Sequence, residues 1–157
     1  MQYRMKTHPL TDELICSLLE HTQTGSLATI NPDGTPYVTP MHFVYEQNTL
    51  YAHGLPKGQK ISNLTNDPRV CFCAYEMDQL LLDPNEKPCD TNTKYESVII
   101  SGSATLVKDI DKKEMVLKKI VKKYTPHLAD RQLPANMVKG TAVIQIDITE
   151  ITGKYYD

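Results

Sequence analysis

Apolar residues first recur at helical spacing over residues 12–22, where Leu14, Leu18 and Leu19 share a face. Thr11 is placed to cap that helix and Thr24-Gly25 to end it, since a glycine commonly follows the last turn. The period then changes to alternation. Residues 26–30 and 37–44 read as two strands joined by Asn31-Pro32-Asp33-Gly34, a turn in which Asp-Gly supplies the positive φ. A third strand over 49–53 pairs with the second. After the loop 54–58, residues 60–64 read as a short helix, which Asp67-Pro68 terminates because proline disfavours helical geometry one residue earlier. Further strands are predicted over 69–75, 97–107 and 141–151, and a helix over 111–124 with Met115, Leu117, Ile120 and Val121 on its apolar side. The polar stretch 83–93, with Pro84 and Pro88, reads as a long loop of the kind that often carries function.

Six antiparallel strands with inserted helices predict a mainly β, α+β fold closed or partly closed into a barrel, because closure removes exposed edges. A wound parallel sheet is excluded, since the first three strands follow one another through turns too short for crossovers. The 157 residues suit a single domain over 1–157 with one core. Hydrophobic residues make up 40% and charged residues 23%, with net charge −2, so the basic excess typical of nucleic-acid binding is missing. With no apolar run of about 18 residues and no apolar leader, a cytoplasmic protein is expected. Cys71 and Cys73 would point to one face of a strand and cannot easily bond each other, so Cys16, Cys71, Cys73 and Cys89 are expected as free thiols. No metal site is expected.

Candidate chemistry centres on residues 51–62, a strand running into a basic, glycine-containing loop and then a helix start. Free N–H groups and the helix dipole favour an anion there, and Lys57, Gln59, Lys60 and Ser62 add donors, so the turn reads as a phosphate cradle or as a solvated surface turn. The spacing is not that of a Walker loop, and no Gly-x-Gly-x-x-Gly follows a strand. His8, His21 and His127 fit no ligand spacing and read as exposed residues.

Gly25-Ser-Leu-Ala-Thr29, Gly34-x-Pro-Tyr-Val-x-Pro40, Phe43-x-Tyr45, Leu50-Tyr-x-His53, Gly58-x-Lys60, Asn66-x-Pro-x-Val-Cys-Phe72 and Tyr95-x-Ser-Val98 follow one another in order. This series resembles the FMN-binding split-barrel family that includes pyridoxamine phosphate oxidase, most nearly its branch of 5-nitroimidazole-resistance reductases. The resemblance runs to Gly153-Lys154 and implies a six-stranded antiparallel split β-barrel. It implies FMN as cofactor, with Thr39, Pro40, Met41 and His42 along the flavin ring and Ala52 and His53 beside the ribityl chain and phosphate. Gln59 and Lys60 fall where the family places its phosphate ligands. Ser97 falls where a neighbouring subunit reaches the flavin, which implies a homodimer with shared sites. The oxidases carry an arginine where Thr39 stands and an arginine-and-histidine motif near their C-terminus, neither of which this sequence repeats.

These features lead to a flavin-dependent oxidoreductase that reduces a small electron-poor acceptor, a nitro compound or quinone, and does not oxidise pyridoxamine phosphate. Met41, Tyr95 and the 83–93 loop are the expected lining of the acceptor slot, while Tyr95 equally reads as barrel core. No catalytic acid or base is assigned. Two other readings stay open at this point: a flavin-binding or storage module without turnover, and a haem-binding split barrel with His42 or His53 as axial ligand.

Overall fold

The computed structural model describes residues 2–157. In chain order the elements are α1 (Tyr3–Thr7), α2 (Asp12–His21), β1 (Gly25–Ile30), β2 (Pro36–Met41), β3 (Phe43–Glu46), β4 (Thr49–Gly54), α3 (Gln59–Asn66), β5 (Arg69–Leu81), β6 (Asn92–Leu106), α4 (Ile110–Tyr124), α5 (Ala135–Gly140) and β7 (Ala142–Tyr156). The strands form one antiparallel sheet in the order β2-β1-β5-β6-β7-β4-β3. Among the described residues no helix is long and apolar enough to cross a membrane.

There are seven strands where the alternation predicts six, because the expected strand 37–44 breaks at His42. Up to Met41 the chain pairs with β1, Met41 lying opposite Gly25; from Phe43 it pairs with β4, Phe43 lying opposite Ala52. The two edges of the sheet are thus consecutive pieces of chain, and the sheet curls into a barrel split at that seam. Backbone groups at the break find a partner on α4. The Phe43 N–H donates to the Tyr124 hydroxyl oxygen at 2.8 Å, and that oxygen stands 3.1 Å from the Phe43 carbonyl and 2.7 Å from the Gln23 carbonyl. One phenolic proton serves one of the two carbonyls at a time.

The barrel interior holds Leu27, Phe43, Leu50, Phe72, Val98, Ile100, Ile144 and Ile146, and α2 adds Leu18 and Leu19. Phe43 and Phe72 meet edge to face, with ring centroids 4.8 Å apart. Thr11 caps α2 as its sequence predicts, accepting from the Leu14 N–H, but the buried positions are Ile15, Leu18 and Leu19, and Leu14 is exposed. Gly25 is not the helix terminator. Thr22 closes α2, and Gly25 opens β1, where a Cβ would lie 1.9 Å from the Phe72 ring. Gly34 does take positive φ, +85°, in the predicted turn, with its N–H on the Asn31 carbonyl at 2.8 Å.

Asp109 caps α4 by accepting from the Lys112 N–H at 2.7 Å. Its inward face is Val116 and Ile120, against Val44, Tyr51 and Val143, whereas Met115 is exposed. The β5–β6 hairpin runs well beyond the predicted strands. Asp78 falls in a register shift between Met77 and Gln79, which interrupts the alternation on which the prediction rests. The connection shortens to residues 82–91, with one 3-10 turn at Pro88–Asp90. β7 continues to Tyr156, pinned by the Leu10 N–H on the Gly153 carbonyl and the Tyr155 N–H on the His8 carbonyl, both at 3.1 Å. All four cysteines are free.

Candidate functional site

At the β2–β3 break, the end of β4 and the first turn of α3 enclose a cleft of about 370 Å³ lined by Thr24, Pro40, Met41, His42, His53 and Lys60. The β1–β2 register fixes Pro40 and Met41, the strand break presents His42, and the β4–β7 register fixes His53 opposite Val143. Lys60 is the second residue of α3. That helix is oriented by Asn63, which has no exposed surface. The Asn63 amide donates to Thr29 Oγ1 at 3.0 Å and to Asn31 Oδ1 at 2.8 Å, and its carbonyl oxygen accepts from Gln59 at 2.8 Å. Asn63→Ala is expected to cost about 1–3 kcal/mol, because it removes three hydrogen bonds at a fully buried position and leaves the Thr29 hydroxyl only its bond to the Tyr37 carbonyl, and to lower the urea midpoint accordingly.

Three features make the cleft receptive to an anion. The Lys60 ammonium is half-buried, and among the described residues no carboxylate lies within 4.0 Å of it; its recorded contact is Met41 Sδ at 3.5 Å. Burial accordingly holds the Lys60 pKa below its usual value. Gly58, whose φ of +122° suits glycine, precedes α3 at its N-cap and no side chain caps the helix, so first-turn N–H groups are free to donate. In the cleft His53 Nδ1 is buried without a partner; Thr39 Oγ1 on β2 and Ser97 Oγ on β6 are likewise unpartnered but lie outside its lining. Each such group costs roughly 1–3 kcal/mol until a partner arrives.

Burial, then the positive charges of His42 and Lys60, lowers the His53 pKa. The unfolded chain therefore takes up a proton near the ordinary value of 6.5 while folded His53 stays neutral. This contribution to stability is complete above about pH 6.5 and declines as pH falls toward the depressed value. Urea titrations across that window should show a shallower pH dependence for His53→Gln than for the parent protein.

Of the residues singled out by sequence, Pro40, Met41, His42, His53 and Lys60 line the cleft. Thr39 precedes them on β2. Ala52 is buried opposite Phe43 and Ile144, its methyl in the core. Gln59 turns to Asn63 and to a hollow shared with Asn31, Pro32, Asp33 and Tyr37. Ser97 pairs with Tyr75 and Lys154 on the opposite face of the sheet from core residues Val98 and Ile100, outside its own chain's cleft. Tyr95 and the 83–93 loop do not join Met41. Tyr95 lies beside Tyr75, ring centroids 5.7 Å apart, in a separate hollow of about 400 Å³. Carboxylates dominate there, from Glu76, Asp78, Glu96 and Asp157, and its one lysine, Lys94, is paired with Asp78 at 3.0 Å, so it lacks the cleft's unpaired lysine. Two contributors lie outside the motifs: Thr24 on the rim, and Tyr124, whose ring stacks on His42 at 4.2 Å and 20°.

A family model described as pyridoxamine 5'-phosphate oxidase matches residues 11–155. The chain belongs to that family. A candidate 5-nitroimidazole antibiotic resistance protein from Bacteroides thetaiotaomicron is 26% identical over 94% of this chain and 86% of that one, with a TM-score of 0.79. An F420 reductase is 28% identical over 86% and 93%, with a TM-score of 0.55. Flavocytochrome Anf3 from Azotobacter vinelandii, 23% identical over 99% and 72% with a TM-score of 0.84, shares the fold. Among curated proteins no match is found.

Proposed function

We propose that this chain binds FMN in the cleft as a homodimer and reduces small electron-poor acceptors such as nitro compounds or quinones. The observation that carries this reading is the unpaired Lys60 ammonium at an uncapped helix start, in one cleft with His53 and its orphaned Nδ1. Lys60 and the first-turn N–H groups of α3 would hold the phosphate, and Thr39 to His42 with His53 would face the ring and ribityl chain. When bound, the flavin supplies hydride-level electron transfer. The protein holds the acceptor against the ring, and Met41 and Pro40 give it apolar walls. The family match and the nitroimidazole-resistance and F420-reductase neighbours support this direction.

A second copy accounts for Ser97. The outer face carries Val38 and Pro40 on β2, Ser26 and Ala28 on β1, Cys71 and Cys73 on β5, and Ser97 and Ile99 on β6, in one continuous register. Small residues let a second backbone approach closely, and exposed Val38, Tyr75 and Met77 extend an apolar surface across it. Covering this face with a second copy brings a partner for the Ser97 hydroxyl. Sedimentation at micromolar concentration should show twice the chain mass, and Val38→Glu should shift it to monomer with weakened FMN binding. A monomer that binds FMN at full affinity contradicts the shared site.

A visible spectrum after titration with FMN and, separately, with haem tests the cofactor. A perturbed flavin band near about 450 nm is expected; a Soret band near about 400 nm with no flavin uptake overturns the reading.

A further inference from the structure

We propose that His42 and His53 form a proton relay into the cleft, with Tyr124 as the residue that holds His42 in place. The relay rests on the reductase reading above. Both imidazoles line the cleft, with ring centroids 6.4 Å apart and planes tilted by 35°, a separation that one bridging water spans. His42 is open to solvent, whereas His53 reaches inward and buries Nδ1. The pair therefore runs from bulk water to the interior of the cleft.

Tyr124 fixes the outer member. Its ring lies flat on His42, and its hydroxyl oxygen accepts from the Phe43 N–H just past the strand break while its proton goes to the Gln23 or the Phe43 carbonyl. The charged group beside the pair is Lys60 from α3; Lys123 from α4 lies over the Phe43 ring and lines a separate hollow with Glu20 and Glu46. The Lys123 ammonium donates to the Leu19 carbonyl at 2.8 Å and lies 5.5 Å from the Tyr124 ring centroid. No carboxylate lines the cleft among the described residues. In the flavin-free protein, protonated His53 thus has the cations of His42 and Lys60 beside it and no carboxylate, so the cleft does not store the proton there.

Two-electron reduction of an acceptor takes a hydride from the reduced flavin and one further proton. His53 gives that proton: its N–H bond breaks and a new bond to hydrogen forms on the acceptor, with the bonding pair staying on the imidazole nitrogen. His42 returns a proton to His53 through water, and bulk water restores His42. Only the flavin is oxidised.

His42→Gln in the flavin-loaded protein should lower kcat roughly 10- to 100-fold with KM little changed, and free imidazole in the buffer should recover most of the loss. Tyr124→Leu should reproduce that pattern, rescue included, while Tyr124→Phe, which keeps the stacked ring but loses the hydroxyl that accepts from the Phe43 N–H, should be less stable to urea than the parent yet lose less of kcat than Tyr124→Leu. In the flavin-free protein, the His53 imidazole titration followed by NMR should move upward in His42→Gln, because a neighbouring cation is removed. Unchanged kcat, a loss that imidazole does not restore, or an unmoved His53 midpoint overturns the relay. A parent protein that takes up no flavin overturns the reductase reading instead, and the flavin-free titration still decides whether the histidines are coupled.

Discussion

Lys60→Ala lowers FMN affinity by roughly 10- to 150-fold and leaves riboflavin affinity within about twofold, since a charge-assisted hydrogen bond is worth roughly 1.5–3 kcal/mol and riboflavin lacks the phosphate. The substitution isolates binding from folding. Lys60 has no carboxylate partner to abandon, and its recorded contact is the Met41 thioether, so its removal leaves no buried charge uncompensated. A half-buried ammonium without a counter-ion is itself unfavourable, and the variant should be at least as stable as its parent without ligand. Fluorescence titrations with both flavins provide the comparison. Equal losses for FMN and riboflavin would place the ammonium away from the phosphate.

Phe72→Ala is expected to cost about 3–5 kcal/mol, the largest effect on stability foreseen here, because it empties the centre of the barrel. Phe72 is 1% exposed, packs edge to face on Phe43, and fills the space that Gly25 leaves by lacking a side chain. The same geometry predicts that Gly25→Val cannot be absorbed without moving the ring or the strand. Gly25 pairs with Met41 and follows Thr24, both of which line the cleft, so a shift there reaches the site directly. Urea unfolding should show the loss for both variants, and Gly25→Val should also weaken FMN uptake. A near-neutral Phe72→Ala would contradict the packing described.

Local chemistry made much of this legible. The Asn31–Gly34 turn, the Thr11 cap and the helix ending at Tyr124 follow from turn residues, capping residues and apolar period, and the ordered motifs identified the split barrel. The break at His42 was not legible, because residues 37–44 read as one strand-forming run with no glycine or turn pair at His42. Only the closing of the barrel makes the strand change partners there, and the tyrosine that satisfies the freed backbone comes from 81 residues away. For the same reason Tyr124 carried no signal as a site residue. α1 and α5, at five and six residues, are too short to show a period. On α2 and α4 the predicted faces hold at Leu18, Leu19, Leu117 and Ile120 but miss at Leu14 and Met115, where tertiary packing uses Ile15 and Val116 instead. Gln59 shows the limit of a motif: its position suits a phosphate ligand, yet its side chain is engaged with Asn63.

The central claim, a flavin in this cleft that passes electrons to small acceptors, is tested most directly by anaerobic reoxidation. The bound FMN is reduced, a nitroaromatic compound, a quinone or pyridoxamine phosphate is added separately, and the return of flavin absorbance is followed. The nitroaromatic and the quinone should reoxidise the bound flavin faster than they reoxidise free FMN, since they need only an apolar slot beside the ring. The oxidised protein should not turn over pyridoxamine phosphate, because a second phosphate needs its own cation and Lys60 is the one lysine lining the cleft. Reoxidation no faster than that of free FMN would contradict the account and leave a flavin-storage module, and turnover of pyridoxamine phosphate would contradict the assignment of Lys60 to the cofactor.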